Sequence, residues 1–302
     1  MLLQGWNSRG CLAAFFACGT LIATARAQAP AGQFQQPTPA GGPAYRVAER
    51  TDTSSPNIAP SQLRPGDPNE HPLMPALRWA REGLVGIERI QDYTATLIKR
   101  ERIGSTLGED QYIALKVRHK PFSVYLNFLA PTAVKGRECL YIEGANNGKM
   151  WAHDNGIRER MFGTVSLLPD GNMAMQGQRY PLTQIGILNL TRRLVEVASE
   201  DVKYGECEVK YFKGAKINDR LCTCTQVVHP VPRKNFLFNV ARIFVDDSLN
   251  IPVRYEAYDW PKAAGAAPEL IEEYTYLNMK LNVGLTDFDF NIENPAYRFH
   301  KK

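Results

Sequence analysis

No aspartate or glutamate occurs before Glu49 in a chain of 302 residues that carries 31 acids. Cysteine is scarce as well. Six are present, and Cys11 and Cys18 fall inside that acid-free start, leaving Cys139, Cys207, Cys222 and Cys224. Four cysteines allow three full pairings; at most one bridge is expected, with plain buried thiols as the equal alternative. Lys+Arg 36 against Asp+Glu 31 leaves +5, and no run of five or six like charges exists. That balance argues against a nucleic-acid protein and against a polyanion-binding tail. Gly-x-Ser-x-Gly, a phosphate-cradling glycine loop and His-Glu-x-x-His are all missing. The five histidines are dispersed, and Cys222-x-Cys224 is too closely spaced for the usual zinc pair. Asp246-Asp247 and Asp287/Asp289 look like a turn and a strand start. No enzyme activity, metal or cofactor is therefore expected.

What is present divides the chain in three. Met1 to Ala27 reads as an export signal: Arg9 is followed by an apolar stretch from Cys11 to Ala25 and by Ala25-Arg26-Ala27, a small-x-small cleavage pattern. The stretch is shorter than the roughly 20 residues needed to span a bilayer. Cleavage is expected after Ala27, placing the protein in the periplasm or cell envelope. An uncleaved anchor and acylation at Cys18 are the alternatives. Residues 28–72 hold nine of the twenty prolines and only isolated apolar residues, the composition of a disordered Pro-rich spacer. Residues 73–302 carry the periodic patterns of one folded domain. No second apolar run approaches spanning length, so no stable transmembrane segment is expected in the mature chain.

Within that domain, Met74 to Ile90 shows helical spacing, with Pro75 in its first turn. Alternating segments follow: Tyr93–Ile103, Tyr112–His119, Phe122–Phe128, Cys139–Glu143, Met150–Asp154 and Arg158–Phe162. A loop is expected over Gly163–Tyr180 and a helix over Pro181–Glu200. Strands resume at Val202–Phe212, Leu221–Val228, Phe236–Val245, Val253–Asp259 and Leu270–Lys280, with a short last one near Phe288–Phe290 before a polar tail. Alternation with short connections implies a mainly β, antiparallel architecture rather than βαβ units. The expectation is a curved, unclosed antiparallel half-barrel of about eleven strands, with helices on its concave side.

Several stretches resemble the bacterial family catalogued as domain of unknown function 1571. They are Tyr93-Thr-Ala-Thr-Leu-Ile-Lys-Arg-Glu-Arg102, Lys116 to Leu126, Gly177-Gln-Arg-Tyr-Pro181, Arg254 to Pro261 and Glu273-Tyr-Thr-Tyr-Leu277. The resemblance runs from Leu77 to Phe299. More distantly, the basic-x-Pro-Phe run at Arg118 to Phe122 and Gly148-Lys149-Met150-Trp151 resemble the periplasmic lipoprotein carrier LolA and its relatives. That resemblance implies helices lidding an apolar cavity that takes acyl chains. An arginine of the carriers is Lys120 here.

The residues themselves point the same way. Phe162, Leu167, Leu168, Met173 and Met175 crowd the middle loop, and methionine adapts to varied apolar partners. Ile187, Leu190 and Leu194 belong to a helix whose apolar stripe is wider than one core contact requires. These eight are the candidate acyl-cavity and lid residues. The alternative is that these side chains are ordinary core, covering one side of the sheet. Arg118 and Lys120 are candidates for a head group or for gating. Two function classes follow: an envelope protein that binds lipid or lipoprotein acyl chains, and an envelope sensor or scaffold that binds a protein partner without lipid cargo.

Overall fold

The computed structural model describes residues 69–155 and 163–299. Helix α1, Met74–Glu88, opens the domain with Pro75 in its first turn and buries Leu77, Trp79, Gly83 and Ile87. The next six strands are β1 (Asp92–Ile103), β2 (Thr106–Leu107), β3 (Gln111–Arg118), β4 (Ser123–Ala130), β5 (Glu138–Ile142) and β6 (Met150–His153). Strand β7 (Thr164–Leu167) precedes a loop and helix α2 (Ile187–Asp201). The last five are β8 (Glu208–Ile217), β9 (Arg220–Val228), β10 (Val240–Asp246), β11 (Ile251–Asp259) and β12 (Glu269–Leu281).

These strands form one antiparallel sheet in the order β7-β6-β5-β4-β3-β1-β12-β11-β10-β9-β8, with β2 attached to β1. The first long strand and the last pair at its centre, Leu97 opposite Tyr276 and Lys99 opposite Tyr274. Two meanders run outward from that pair, and β7 and β8 remain as separate edges, so the sheet does not close. It is the unclosed half-barrel that the alternation implied. Several boundaries differ from the sequence reading. Strand β7 lies inside the stretch expected as loop, while Arg158–Phe162 falls outside the described residues. Strand β8 begins at Glu208 rather than Val202, because α2 and its closing turn extend past Asp201.

Alternation sorts the side chains into two layers. Tyr93, Ala95 and Leu97 of β1 share a face with Ile113, Leu115 and Val117 of β3 and with Val124, Leu126 and Phe128 of β4. This is the concave face. Helix α2 closes it through Ile187, with Leu188 and Leu190 packed alongside. Full burial of each such side chain contributes about 1.5–3 kcal/mol. Helix α1 packs on α2, tied by Arg192 to Glu88 at 2.8 Å and by Arg81 to the Ser199 hydroxyl at 3.1 Å.

The opposite face of β4 and β5 is covered by the C-terminal segment. Phe290, Tyr297 and Phe299 pack on Tyr125 and Leu140, and the Tyr297 ring stacks on Tyr125 at 3.9 Å. The backbone N–H of Arg298 donates to Glu138 at 2.8 Å. Phe288–Phe290, expected as a strand, is instead part of a 3-10 turn, Asp287–Phe290, and the polar tail is a strap with buried aromatics. Among the described residues, no helix is long and apolar enough to cross a membrane.

Candidate acyl-binding cavity

A cavity of about 580 Å³ lies between the concave face and the segment leading into α2. That volume is within the usual range for small-molecule sites, roughly 300–1,000 Å³. Its floor is the arm of the sheet from β3 to β7: Ile113, Leu126, Phe128, Cys139, Met150, Ala152, Val165 and Leu167. Among the described residues, Pro169, Met173, Ala174, Gln176 and Gln178 of the loop, Leu182 of the following 3-10 turn and Ile185 just after it add to the wall.

The register makes the cavity two-ended. Leu126, Cys139, Ala152 and Val165 sit opposite one another across β4 to β7, and Met150 faces Leu167 at one end of that row. At the other end, beyond Leu97, Phe128 and Ala152, stand Lys99, Arg137 and Asp154. Arg137 grips Asp154 with two N–H groups at 3.1 and 3.3 Å. One end is apolar and the other charged.

Lys99 belongs to a buried polar cluster that ties the loop to the sheet. Its ammonium donates to Glu101 at 3.3 Å and to the Gln178 side-chain oxygen. Glu101 also accepts the Tyr274 hydroxyl at 2.6 Å and the Arg179 backbone N–H at 3.2 Å. The Arg179 guanidinium donates to Glu272 at 2.8 Å, and the Tyr180 hydroxyl donates to Glu272 at 3.2 Å. Burial lowers the pKa of Lys99 and raises that of Glu272, because each loses water that favoured its charged form. Burial also pushes Tyr180 up to about 12. The cluster joins three stretches distant in sequence: Lys99 and Glu101 on β1, Gln178-Arg179-Tyr180 on the loop, and Glu272 with Tyr274 on β12.

Just beyond that cluster, Gly186 lets α2 approach the sheet. Its φ is +107°, and a Cβ there would stand 2.8 Å from the Tyr93 hydroxyl oxygen. That hydroxyl accepts the Ile187 N–H at 3.0 Å, capping one of the unpaired donors that open every helix.

The sequence-predicted residues are divided among several places. Leu167 and Met173 line the cavity, Met173 being 72% exposed at its rim. Leu168 projects outward at 54% exposure, Met175 is half-buried outside the lining, and Phe162 lies outside the described residues. Ile187 is fully buried in the core, Leu190 packs between two apolar clusters, and Leu194 packs on the β9–β11 side. Arg118 is on the sheet's other face, bonded to Asp287 at 2.6 Å and to Ser123 at 3.0 Å, with its guanidinium 4.9 Å above the Phe290 ring. Lys120 is exposed in the turn after β3. Neither cation lines the cavity, because alternation turns Arg118 away from the face that Val117 occupies. Lys99 and Glu101 were missed. The available signal was their phase: both continue the odd-numbered series Tyr93, Ala95, Leu97 that faces the core.

A family model described as a protein of unknown function (DUF1571) matches residues 90–299, and the chain belongs to that family. No curated protein matches the chain. Among solved structures, the lipoprotein LppX of Mycobacterium tuberculosis is 12% identical, covering 70% of this chain and 98% of its own, with a TM-score of 0.41. A LolA superfamily protein from Nitrosomonas europaea is 12% identical over 70% of this chain and 97% of its own, with a TM-score of 0.27. The MucA/MucB complex of Pseudomonas aeruginosa contains a chain 12% identical over 72% of this one and 60% of its own, with a TM-score of 0.40.

Proposed function

We propose that this protein is an exported, non-enzymatic envelope protein that holds an acyl chain in the cavity under the 163–185 segment. The single observation carrying the reading is the cavity itself, about 580 Å³ with a largely apolar floor contributed by five strands. The acid-free start with Ala25-Arg26-Ala27 supports export. An apolar space of this size gains free energy by exchanging water for hydrocarbon, at about 0.8 kcal/mol per methylene. Affinity for straight-chain fatty acids therefore rises about fourfold per added CH₂ until the cavity is full, then levels off. Titration with fatty acids of increasing length, read by intrinsic fluorescence, tests this. Ala152→Phe, which fills the floor from the middle of β6, is expected to abolish binding with the melting temperature retained. Absence of saturable binding at any length by a folded sample would leave the protein-partner scaffold as the standing alternative.

A further inference from the structure

We propose that the cavity's occupant is a single-chain amphiphile bearing a carboxylate, and that the carboxylate pairs with the Lys99 ammonium. The proposal rests on the acyl-binding reading and adds the head group to it. Lys99 reaches the cavity lining from β1 while only 8% exposed. An ammonium carries three donors. Glu101 takes one at 3.3 Å and the neutral Gln178 amide oxygen takes another. Glu101 also accepts the Tyr274 hydroxyl at 2.6 Å and the Arg179 N–H at 3.2 Å, uncharged donors that hold it in place beside Lys99. The cation is thus stripped of water, with Glu101 as its described ion-pair partner; burial lowers its pKa and Glu101 opposes that fall. A third donor remains for a ligand.

The alternatives at this end are less suited. Arg137 lines the cavity too, but it is charge-balanced by Asp154, which takes two of its five N–H groups. The acids Glu101 and Asp154 flank the site and oppose a doubly charged phosphate more strongly than a compact monoanion. The two-ended lining also orients the chain: with its carboxylate at Lys99, the hydrocarbon runs past Leu126 and Ala152 toward Met150 and Leu167. Burying an unpaired carboxylate costs more than several methylenes contribute, so an acid competes with the matching alcohol only if a cation meets it.

That competition is the test. Myristic acid, 1-tetradecanol and tetradecyl phosphate are titrated into the full-length mature protein and into Lys99→Met and Lys120→Met. The wild type is expected to bind the acid at least about tenfold more tightly than the alcohol, with the phosphate weaker than the acid. Lys99→Met loses the preference and retains alcohol binding; Lys120→Met, altered outside the cavity, keeps the preference. Equal binding of acid and alcohol by the wild type overturns the proposal, as does a preference that survives Lys99→Met. A phosphate bound more tightly than the acid overturns the choice of a carboxylate. If alcohol and acid bind equally, the acyl-binding reading stands and only the head group fails; if none of the three binds, both fail. Should Lys99→Met not fold, the wild-type series alone still decides, and Lys99→Arg is expected to retain the preference for an anion.

Discussion

Gly186 has only one side-chain identity compatible with its place. At φ +107° and ψ 160° it occupies a region essentially restricted to glycine, and the Tyr93 hydroxyl stands where a Cβ would go. Gly186→Ala is expected to cost roughly 2–4 kcal/mol, combining backbone strain with loss of the Tyr93–Ile187 hydrogen bond. Tyr93→Phe, which removes only that acceptor, should cost about 1–3 kcal/mol. Urea unfolding of both variants checks the ranking. The cysteines supply a second residue-scale prediction. All four described thiols are free, and burial raises each pKa to about 12. In a chain beginning at Asn69, which omits Cys11 and Cys18, thiol titration should find four reactive groups in denaturant and slow reaction in the native state, where the thiolate is suppressed. Fewer than four would indicate a bridge. Lys99 and Glu101 were legible in principle as charges in phase with an apolar face. Their partners were not, since nothing local links Arg179 to Glu272, 93 residues away.

The loop from Leu168 to Ile185 is held by a polar clamp, Gln178, Arg179 and Tyr180 on Lys99, Glu101 and Glu272, and by apolar packing of Ala174, Leu182 and Ile185. Arg179, half-exposed, gives the loop its ionic contact with Glu272 on β12. Arg179→Met should therefore open the loop locally, raising amide exchange across 169–180 by tenfold or more while the global melting temperature falls only slightly. An equal loss of protection throughout the sheet would show that the clamp stabilises the whole domain instead. The β10–β11 hairpin offers a pH-dependent case. Asp246 receives N–H bonds from Ser248 at 2.9 Å and Leu249 at 3.0 Å, and pairs with Arg220. Burial opposes its charge, but those donors prevail and hold its pKa at about 2, below the ordinary 3.8. A depressed carboxyl stabilises the fold above its unfolded pKa and loses that effect as pH falls through the folded value. Asp246→Asn should cost about 1–3 kcal/mol at neutral pH. The gap between variant and wild type should then close as pH drops from 3.8 toward about 2, followed by chemical denaturation. At this scale alternation located most strands. It misplaced β7 and the start of β8, where short or half-exposed segments carry little period, and it gave Phe288–Phe290 the wrong element because aromatic residues suit a strand as well as a packed turn.

For the whole molecule, the pairing of β1 with β12 joins the two meanders at the centre of the sheet. A chain beginning at Asn69 contains every described contact of that sheet, and is expected to melt within a degree or two of the full-length protein. A large drop would place residues 1–68 in the folded unit. Composition and period by themselves determined an acid-free, apolar start, a proline-rich stretch after it, and a mainly antiparallel domain with helices, because these depend on residue chemistry and on neighbours two to four positions apart. Only the tertiary structure decided that β1 and β12 meet, that Arg118 faces away from the cavity, and that Lys99, Glu101, Gln178, Arg179, Glu272 and Tyr274 form one cluster. Strand register and loop docking are selected by burial of whole faces at once, with each buried charge finding its partner across the fold, and that constraint acts between residues a local pattern never compares.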